Sequence, residues 1–215
     1  MKIGIIGAGN IGATAARLFA GAGHEVALSN SRGPGSLAAL VEDIGPGARA
    51  LAVDDAAAWG EVVLLAVPWR SPEALPSPDA VAGKVVVDAM NPYGDGGGVI
   101  DLGDSTSSEE TAKRLPGARL VKALNTIWAQ HLAKNGRTDV PVEERHAIFL
   151  AGDDAEAKGI VARLVEEIGF APVDSGGLRE GGRLQEPGSP FYNRPMTGAD
   201  ARRRLDALAE VPADG

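Results

Sequence analysis

The chain has 215 residues, 44% of them hydrophobic, and its formal net charge is −8 at pH 7. This suits one large α/β domain or one domain with an appendage, and the acidic balance argues against a nucleic-acid partner. The absence of cysteine excludes disulfides, thiolate catalysis and cysteine-based metal sites. No apolar run reaches the length of a membrane span, and a first strand at residue 2 or 3 leaves no room for a targeting peptide. We therefore expect a cytoplasmic protein.

The first twelve residues, MKIGIIGAGNIG, carry the most informative motif of the chain. The apolar run Lys2–Ile6 predicts a buried parallel strand, and residues 13–22 predict a helix. Between them Gly7, Gly9 and Gly12 have the spacing G-x-G-x-x-G. In that setting the first glycine permits a tight turn, the second admits a pyrophosphate and the third allows close helix packing. The motif predicts a dinucleotide site, with a glycine turn that serves packing alone as the alternative.

The residues after the second predicted strand, 24–29, indicate which dinucleotide binds. NAD-binding folds place a carboxylate about 20 residues beyond the first glycine, where it bonds the ribose 2′-hydroxyl. Here that region reads Asn30, Ser31 and Arg32 and contains no carboxylate. Arg32 suits a 2′-phosphate because a guanidinium forms charged hydrogen bonds with it, and Ser31 can donate another. The sequence predicts NADP(H) rather than NAD(H); the alternative is that Arg32 is a solvated loop residue.

Strands and helices alternate along most of the chain. Further strands are predicted at 49–53, 61–67, 84–89, 119–124, 145–151 and 171–174, and helices at 37–44, 54–59, 105–115, 127–133, 155–168 and 199–209. Asp54 or Asp55 is expected to cap the short helix that ends at Trp59. This alternation predicts an α/β fold, a Rossmann-type doubly wound, mostly parallel sheet. We expect an NADP-binding domain over 1–178. A C-terminal segment, 179–215, of irregular arm and terminal helix should pack on the same domain or on a partner subunit.

Ligands of doubly wound sheets lie at the carboxyl ends of the strands. We therefore expect Val67, Pro68 and Trp69, at the end of the fourth predicted strand, to line the dinucleotide cleft. A packing role is the alternative for the tryptophan. Asn91, beyond the fifth strand, is expected to hydrogen-bond the nicotinamide region. The glycine-rich loop 94–98 is interpreted as either a mobile lid or an idle loop.

No general acid or base is evident in the sequence. His131 and His146 fall in unrelated predicted elements. Lys122 and Asn125 lie three residues apart near the end of one strand, which would put them on opposite faces. Lys122, Asn125 and His131 are the catalytic candidates, and no metal site is predicted. Because hydride transfer between two bound cofactors needs mainly proximity and orientation, this pattern suits a redox protein that holds two cofactors.

Seven segments resemble the NADPH-dependent coenzyme F420 reductases: GIIGAGNIG, AGHEV, SNSR, LAVPW, ALNTI, AGDDAEAK and VDSGGL. The resemblance runs from Met1 to about Leu178 and implies hydride transfer between NADP(H) and a 5-deazaflavin. It implies cofactor contacts at Gly9, Asn10, Ile11, Gly12, Ser31, Arg32, Val67, Met90 and Ala123. It also implies a deazaflavin pocket near Pro68, Trp69, Asn91, Asn125, Trp128 and His131. The chain is similar, more loosely, to ferric-reductase domains that use a flavin.

The chain departs from this family pattern at three places. Ser36 stands where the family has a basic residue, Asn125 where it often has histidine, and the arm 181–195 has no counterpart. We expect an NADP(H)-dependent oxidoreductase whose second substrate is coenzyme F420. The alternatives are an NADPH-dependent flavin, carbonyl or imine reductase, or a redox sensor that binds NADP(H) without turnover. Carbonyl or imine reduction would take its proton from Lys122, His131 or Tyr192. The family also implies a homodimer.

Overall fold

The computed structural model describes residues 1–209 and contains an eight-stranded sheet. The strands are β1 (Lys2–Ile6), β2 (Glu25–Ser29), β3 (Ala48–Ala50), β4 (Val62–Leu65), β5 (Val85–Asp88), β6 (Arg119–Lys122), β7 (Ala147–Ala151) and β8 (Ala171–Gly176). Their spatial order is β3-β2-β1-β4-β5-β6-β7-β8, and neighbouring strands are parallel except β6 and β7. The predicted doubly wound, mostly parallel sheet is confirmed. The strand order reverses between β1 and β4, which places a ligand crevice at their carboxyl ends.

Helices cover both faces of this sheet. They are α1 (Asn10–Gly21), α2 (Ala38–Ile44), α3 (Val53–Trp59), α4 (Pro78–Val81), α5 (Ser107–Arg114), α6 (Ala129–Lys134), α7 (Ala155–Glu167), α8 (Glu180–Arg183) and α9 (Gly198–Ala209). Alternate strand residues serve two separate cores: Ile3 and Ile5 pack with α1 and α7, whereas Ile6 packs with α3 and α5. Burial on both faces explains the continuous apolar runs of the strands. Within residues 1–209, no helix combines the length and apolar character needed to cross a membrane.

Several predicted boundaries differ from those in the structure. β4 ends at Leu65 and β5 at Asp88, so Val67 and Asn91 lie in the loops beyond the strands. The aspartates predicted to cap α3 lie in its first turn instead, behind an N-cap at Ala52. The prediction of that cap is wrong, although carboxylates in a first turn still interact favourably with the helix dipole. Terminal residues are poorly specified by local sequence because they depend on neighbouring packing.

The C-terminal arm is irregular apart from one short helical turn. The short helix α8 forms within it, and a Cβ added at Gly181 would come within 2.6 Å of the Ser175 carbonyl oxygen. Phe191 is buried, with its ring centroid 4.8 Å from that of Phe149 on β7. The arm packs against the sheet of its own chain, and residues 210–215 of the predicted segment lie outside the described residues.

The glycine-rich loop 94–98 forms a closed turn. The Gly94 N–H donates to the Gly98 carbonyl oxygen at 2.8 Å, and Tyr93 and Val99 are joined by an antiparallel bridge. Asp95 at its tip pairs with Arg70 at 2.9 Å. These contacts fix Tyr93 at the base of the loop.

Candidate cofactor site

The three glycines after β1 differ in what a side chain at each position would meet. Gly7 has φ of 102°, and a Cβ there would lie 2.4 Å from the Ala66 carbonyl oxygen. A Cβ at Gly12 would lie 1.8 Å from the Gly7 carbonyl oxygen. By contrast, a Cβ at Gly9 would meet nothing within 4 Å. The folded chain therefore requires the first and third glycines, whereas the second leaves open space for something outside the chain.

The start of α1 is suited to an anion. Its N-cap is Gly9, no side chain of the described residues accepts its first N–H groups, and its first turn contains no acidic residue. The helix is 12 residues long, so its unpaired N–H groups and dipole present partial positive charge beside the open space at Gly9. These features fit the pyrophosphate of a dinucleotide.

The loop after β2 is organised by Asn30. Its Oδ1 accepts the Arg32 backbone N–H at 3.0 Å and the Ser36 hydroxyl at 3.2 Å, and its Nδ2 donates to Ser36 Oγ at 2.9 Å. Ser31 and Arg32 are exposed, and their side chains form no hydrogen bond within residues 1–209. The structure thus uses Asn30 and Ser36 to hold the loop. Ser31 and Arg32 remain available to a ligand.

A cleft of about 480 Å³ opens where the strand order reverses, at the carboxyl ends of β1 and β4. We call it the β1–β4 cleft; its lining includes Gly7, Gly9, Ser31, Val67, Pro68 and Glu73. It brings the glycine loop and the β2 loop together, as the sequence predicts for a dinucleotide. Glu73 is a carboxylate that the sequence reasoning missed, because it lies far along the chain from both loops.

A second cavity of about 280 Å³ lies beyond the carboxyl ends of β5 and β6. We call it the β5–β6 cavity; its lining includes Asn10, Asn91, Leu124, Asn125, Trp128 and Tyr192. Leu124 has φ of 62°, and Asn193, which also lines the cavity, has φ of 52°. Within the described chain these are the non-glycine residues with positive φ. Backbone strain of this kind tends to cluster at functional sites.

The amides of Asn91 and Asn125 face each other in this cavity. The Asn125 Nδ2 donates to Asn91 Oδ1 at 3.1 Å and to the Gln185 carbonyl oxygen at 2.8 Å, and Asn91 Nδ2 donates to the Asn125 carbonyl oxygen at 3.0 Å. Asn125 is 3% exposed, and its Oδ1 has no hydrogen-bond partner among residues 1–209. Both amide hydrogens are committed, so the side chain is fixed. A buried oxygen without a donor costs roughly 1–3 kcal/mol, and a ligand N–H would remove that cost.

Two tyrosines meet at the same cavity. The hydroxyl oxygens of Tyr93 and Tyr192 lie 3.0 Å apart, although the residues are 99 positions apart in the chain. Burial, and then the hydrogen bond with Tyr93, raises the pKa of the Tyr192 phenol above its ordinary value. Tyr192 is accordingly a neutral hydrogen-bond donor near pH 7. No local pattern of residues pointed to its partner Tyr93.

Two of the catalytic candidates lie away from the cavity. Lys122 is fully buried, and its ammonium donates to Ser107 Oγ at 2.8 Å and Ser108 Oγ at 3.2 Å. Burial lowers the pKa of Lys122, while the nearby carboxylate charges of Asp88 and Glu186 oppose that shift. This network fixes the ends of β5 and β6 against α5. Lys122 does not line the β5–β6 cavity, where a proton donor for a bound substrate would have to lie.

His131 is also absent from the lining of the cavity. Its ring centroid lies 6.3 Å from that of His146, so the structure brings together two histidines that the sequence assigned to unrelated elements. His146 packs edge-on against Phe170, and its Nδ1 lies 3.2 Å from Asn135 Nδ2. Burial, and secondarily His131, lowers the pKa of His146. The pair belongs to the packing of α6 on the sheet.

Three residues expected near the cofactor have buried side chains. Trp69 is 7% exposed, donates its indole N–H to the Ser107 carbonyl oxygen at 3.1 Å and stacks on Arg114 with 4.6 Å to the ring centroid. It is therefore a packing residue, since the core satisfies its polar atom. Met90 and Ala123 are 3% and 0% exposed. Any contact they make with a ligand would come from the backbone.

The fold, the glycine loop and the two cavities define a dinucleotide-binding protein of Rossmann type. The family profile described as "NADP oxidoreductase coenzyme F420-dependent" matches residues 2–92. A crystal structure of a hypothetical protein from Sinorhizobium meliloti is 35% identical with a TM-score of 0.80, covering 92% of this chain and 95% of that one. A proposed F420-dependent NADP reductase from Arthrobacter sp. FB24 is 30% identical with a TM-score of 0.72, covering 86% and 89%.

A curated relative, the metalloreductase STEAP3 of Rattus norvegicus, is 30% identical over 178 residues. The match covers 82% of this chain, which spans about a third (34%) of that relative's length. Taken together, these similarities show that the chain belongs to the coenzyme F420-dependent NADP oxidoreductase family. It is a member of a family of NADP-dependent oxidoreductases.

Proposed function

We propose that the protein transfers hydride between NADP(H) and the 5-deazaflavin coenzyme F420. The observation that carries this proposal is the position of two cavities at adjacent strand ends. Gly9 lines the β1–β4 cleft, and its neighbour Asn10 lines the β5–β6 cavity. One extended dinucleotide can therefore place its adenosine half in the first and its nicotinamide half in the second, as in other doubly wound folds.

The chain offers separate groups for the phosphates of NADP(H). The N–H groups at the start of α1 would hold the pyrophosphate, and the missing side chain at Gly9 gives it room. Ser31 and Arg32, projecting from the loop that Asn30 organises, would hold the 2′-phosphate. No carboxylate precedes them at the usual NAD position, which favours NADP(H).

The β5–β6 cavity would hold the nicotinamide and the second ring. Bound NADPH supplies a hydride from its dihydronicotinamide ring. Asn125 Oδ1, which lacks a donor within residues 1–209, would accept the carboxamide N–H and so fix the ring's rotation. Trp128 is 54% exposed at the cavity and would stack on a flat acceptor. The residues need only align two rings and exclude water, because the transfer depends mainly on proximity and orientation.

The proposal is tested by mixing the purified protein with NADPH and oxidised coenzyme F420. We expect loss of the deazaflavin absorbance with one NADPH consumed for each F420 reduced. A parallel reaction with a flavin tests the closest alternative. Reduction of the flavin but not of F420 would mean that the second substrate is a flavin. Tight NADPH binding with loss of neither absorbance would contradict both and favour a sensor that binds without turnover.

A second candidate function, carbonyl or imine reduction, is favoured by the tyrosine pair. Tyr192 lines the β5–β6 cavity and carries a phenol hydrogen-bonded to Tyr93. A positioned phenol can protonate the oxygen or nitrogen of a reduced C=O or C=N bond. In that case Tyr192→Phe should lower kcat for the carbonyl or imine substrate by about 100-fold, while NADPH affinity stays unchanged. An unaltered kcat would remove Tyr192 as the donor.

We also propose a homodimer, and the family resemblance alone supports it. The arm 181–195 was the other reason to expect a partner, but it packs against β7 of its own chain. Light scattering at several concentrations should give a mass of two chains. A mass of one chain throughout would contradict the dimer.

A further inference from the structure

Glu73 is an unexpected charge in the β1–β4 cleft. Among the residues of the described chain that line this cleft, it alone carries a formal charge. It lies on a short 3₁₀ helix, Pro72–Ala74, that follows β4. The side chain is exposed, and its carboxylate forms no hydrogen bond or ion pair within residues 1–209. The carboxylate therefore has no structural role in this part of the chain.

The backbone that carries Glu73 is firmly held. The Ser71 N–H donates to the Pro68 carbonyl oxygen at 2.9 Å, and the Ala74 N–H donates to the Ser71 carbonyl oxygen at 3.0 Å. Downstream, the Ser77 N–H donates to Asp54 Oδ1 at 2.8 Å, which ties the segment to α3. Glu73 is thus presented to the cleft by a fixed turn and does not depend on a loose loop.

A carboxylate beside a phosphate-bearing ligand is unfavourable unless a hydrogen-bond donor of the ligand faces it. The phosphates offer no such donor at neutral pH, and the proposed contacts place them at the start of α1 and at Ser31. The cleft lining also contains Val53, Pro68 and Ala74, whose apolar side chains suit the flat faces of a purine. The edge of adenine carries an amino group, which donates, whereas 6-oxo purines carry an acceptor there.

Resting on the proposed binding of NADP(H), we infer that Glu73 accepts a hydrogen bond from the 6-amino group of the adenine base. The cleft then selects adenine over 6-oxo purines, because a carbonyl oxygen at that position would face the carboxylate acceptor to acceptor. Glu73 is in this way a specificity-determining residue for the base. Recognition of the 2′-phosphate remains with Ser31 and Arg32 on the loop after β2.

Binding of NADP⁺ and of its deaminated analogue, nicotinamide hypoxanthine dinucleotide phosphate, tests this inference. By calorimetry, the intact wild-type chain should bind NADP⁺ about tenfold more tightly than the analogue, the effect of one charged hydrogen bond. Glu73→Gln should reduce this ratio to about two or less, because an amide can either accept from the amine or donate to the oxygen. Glu73→Ala should also bring the ratio close to one.

Asp79→Asn is the matched control, since it removes one negative charge at an exposed position of α4 that does not line the cleft. It should leave the tenfold ratio intact. Equal loss of affinity for both dinucleotides in Glu73→Gln would assign the carboxylate to a ribose hydroxyl and overturn the inference. An unaltered ratio would also overturn it. Failure of the wild-type chain to bind NADP⁺ at all would instead refute the proposed function.

Discussion

The β1–β4 cleft and the β5–β6 cavity are built from different kinds of chemical groups. At its phosphate end the cleft presents mainly backbone groups: a glycine turn, uncapped N–H groups of α1 and a short loop after β2. The cavity is built from side chains, including the Asn91–Asn125 amide pair and Tyr192. Backbone groups suit the phosphates shared by many dinucleotides, whereas side chains can be changed to suit a particular second substrate. Under the proposed function, this difference would allow coenzyme binding and acceptor choice to vary independently.

The largest expected effects compare two glycines of the same loop. Gly12→Ala should prevent folding or cost at least about 3 kcal/mol of stability, because its Cβ would overlap the Gly7 carbonyl oxygen at 1.8 Å. Gly9→Ala has open space and φ of −78°, a conformation that alanine adopts. It should keep the melting temperature within a few degrees while weakening NADPH binding at least about tenfold. Thermal unfolding and calorimetry check both; normal NADPH binding by Gly9→Ala would refute its phosphate role.

Arg32→Ala tests coenzyme choice at the cleft. Loss of a charged hydrogen bond to the 2′-phosphate should weaken NADPH binding by about 10–100-fold. NADH binding should change little, because NADH lacks that phosphate. Arg70→Ala is the control, because it removes the same charge at a residue that pairs with Asp95. It should preserve the preference for NADPH over NADH. Equal affinity of the wild-type chain for both coenzymes would rule out the selection.

Asn125→Ala tests the unpaired acceptor of the cavity. If its Oδ1 binds the nicotinamide carboxamide, the wild-type chain should bind the 3-acetylpyridine analogue, which lacks that N–H, about tenfold more weakly than NADP⁺. The variant should lose most of this discrimination, and direct binding measurements would show it. Thr126→Ala, the neighbouring buried position, is a control for general disturbance. Discrimination that survives in Asn125→Ala would exclude the contact.

The smallest expected effect concerns the histidine pair outside both cavities. The pKa of His146 is lower in the folded chain than its ordinary value of about 6.5. As the pH falls, His146 takes up a proton in the unfolded chain before it does so in the folded chain. The free energy of unfolding therefore decreases as the pH drops from about 6.5 towards the pKa of His146 in the folded chain. His146→Gln should reduce the fall in melting temperature between pH 7 and 5 by about 2 °C, measured by circular dichroism. An identical pH profile would contradict this assignment.

The sequence was most informative where function and local structure coincide. The strand, the glycine spacing and the residues Ser31 and Arg32 lie within a short stretch, so their arrangement could be predicted from known βαβ geometry. The positions of residues whose environment depends on distant packing were predicted less accurately. Trp69 follows a strand end, which predicts a place in the cleft. Its indole packs in the core instead, where the Ser107 carbonyl oxygen accepts its N–H. Lys122 is a catalytic candidate by its side-chain chemistry, but it is buried against α5 and does not line the β5–β6 cavity.

The mostly parallel sheet, the dinucleotide motif and the lack of a carboxylate at the NAD position could all be predicted, because each depends on residues close together in the chain. The meeting of Tyr93 with Tyr192 across 99 positions, and the hydrogen bond from Asn125 to the Gln185 carbonyl oxygen across 60, could be seen only in the folded chain. The same holds for the position of Glu73 in the lining of the β1–β4 cleft. Contacts of this kind arise only when separate crossover units pack on one sheet, and no local pattern of residues encodes which side chains then become neighbours.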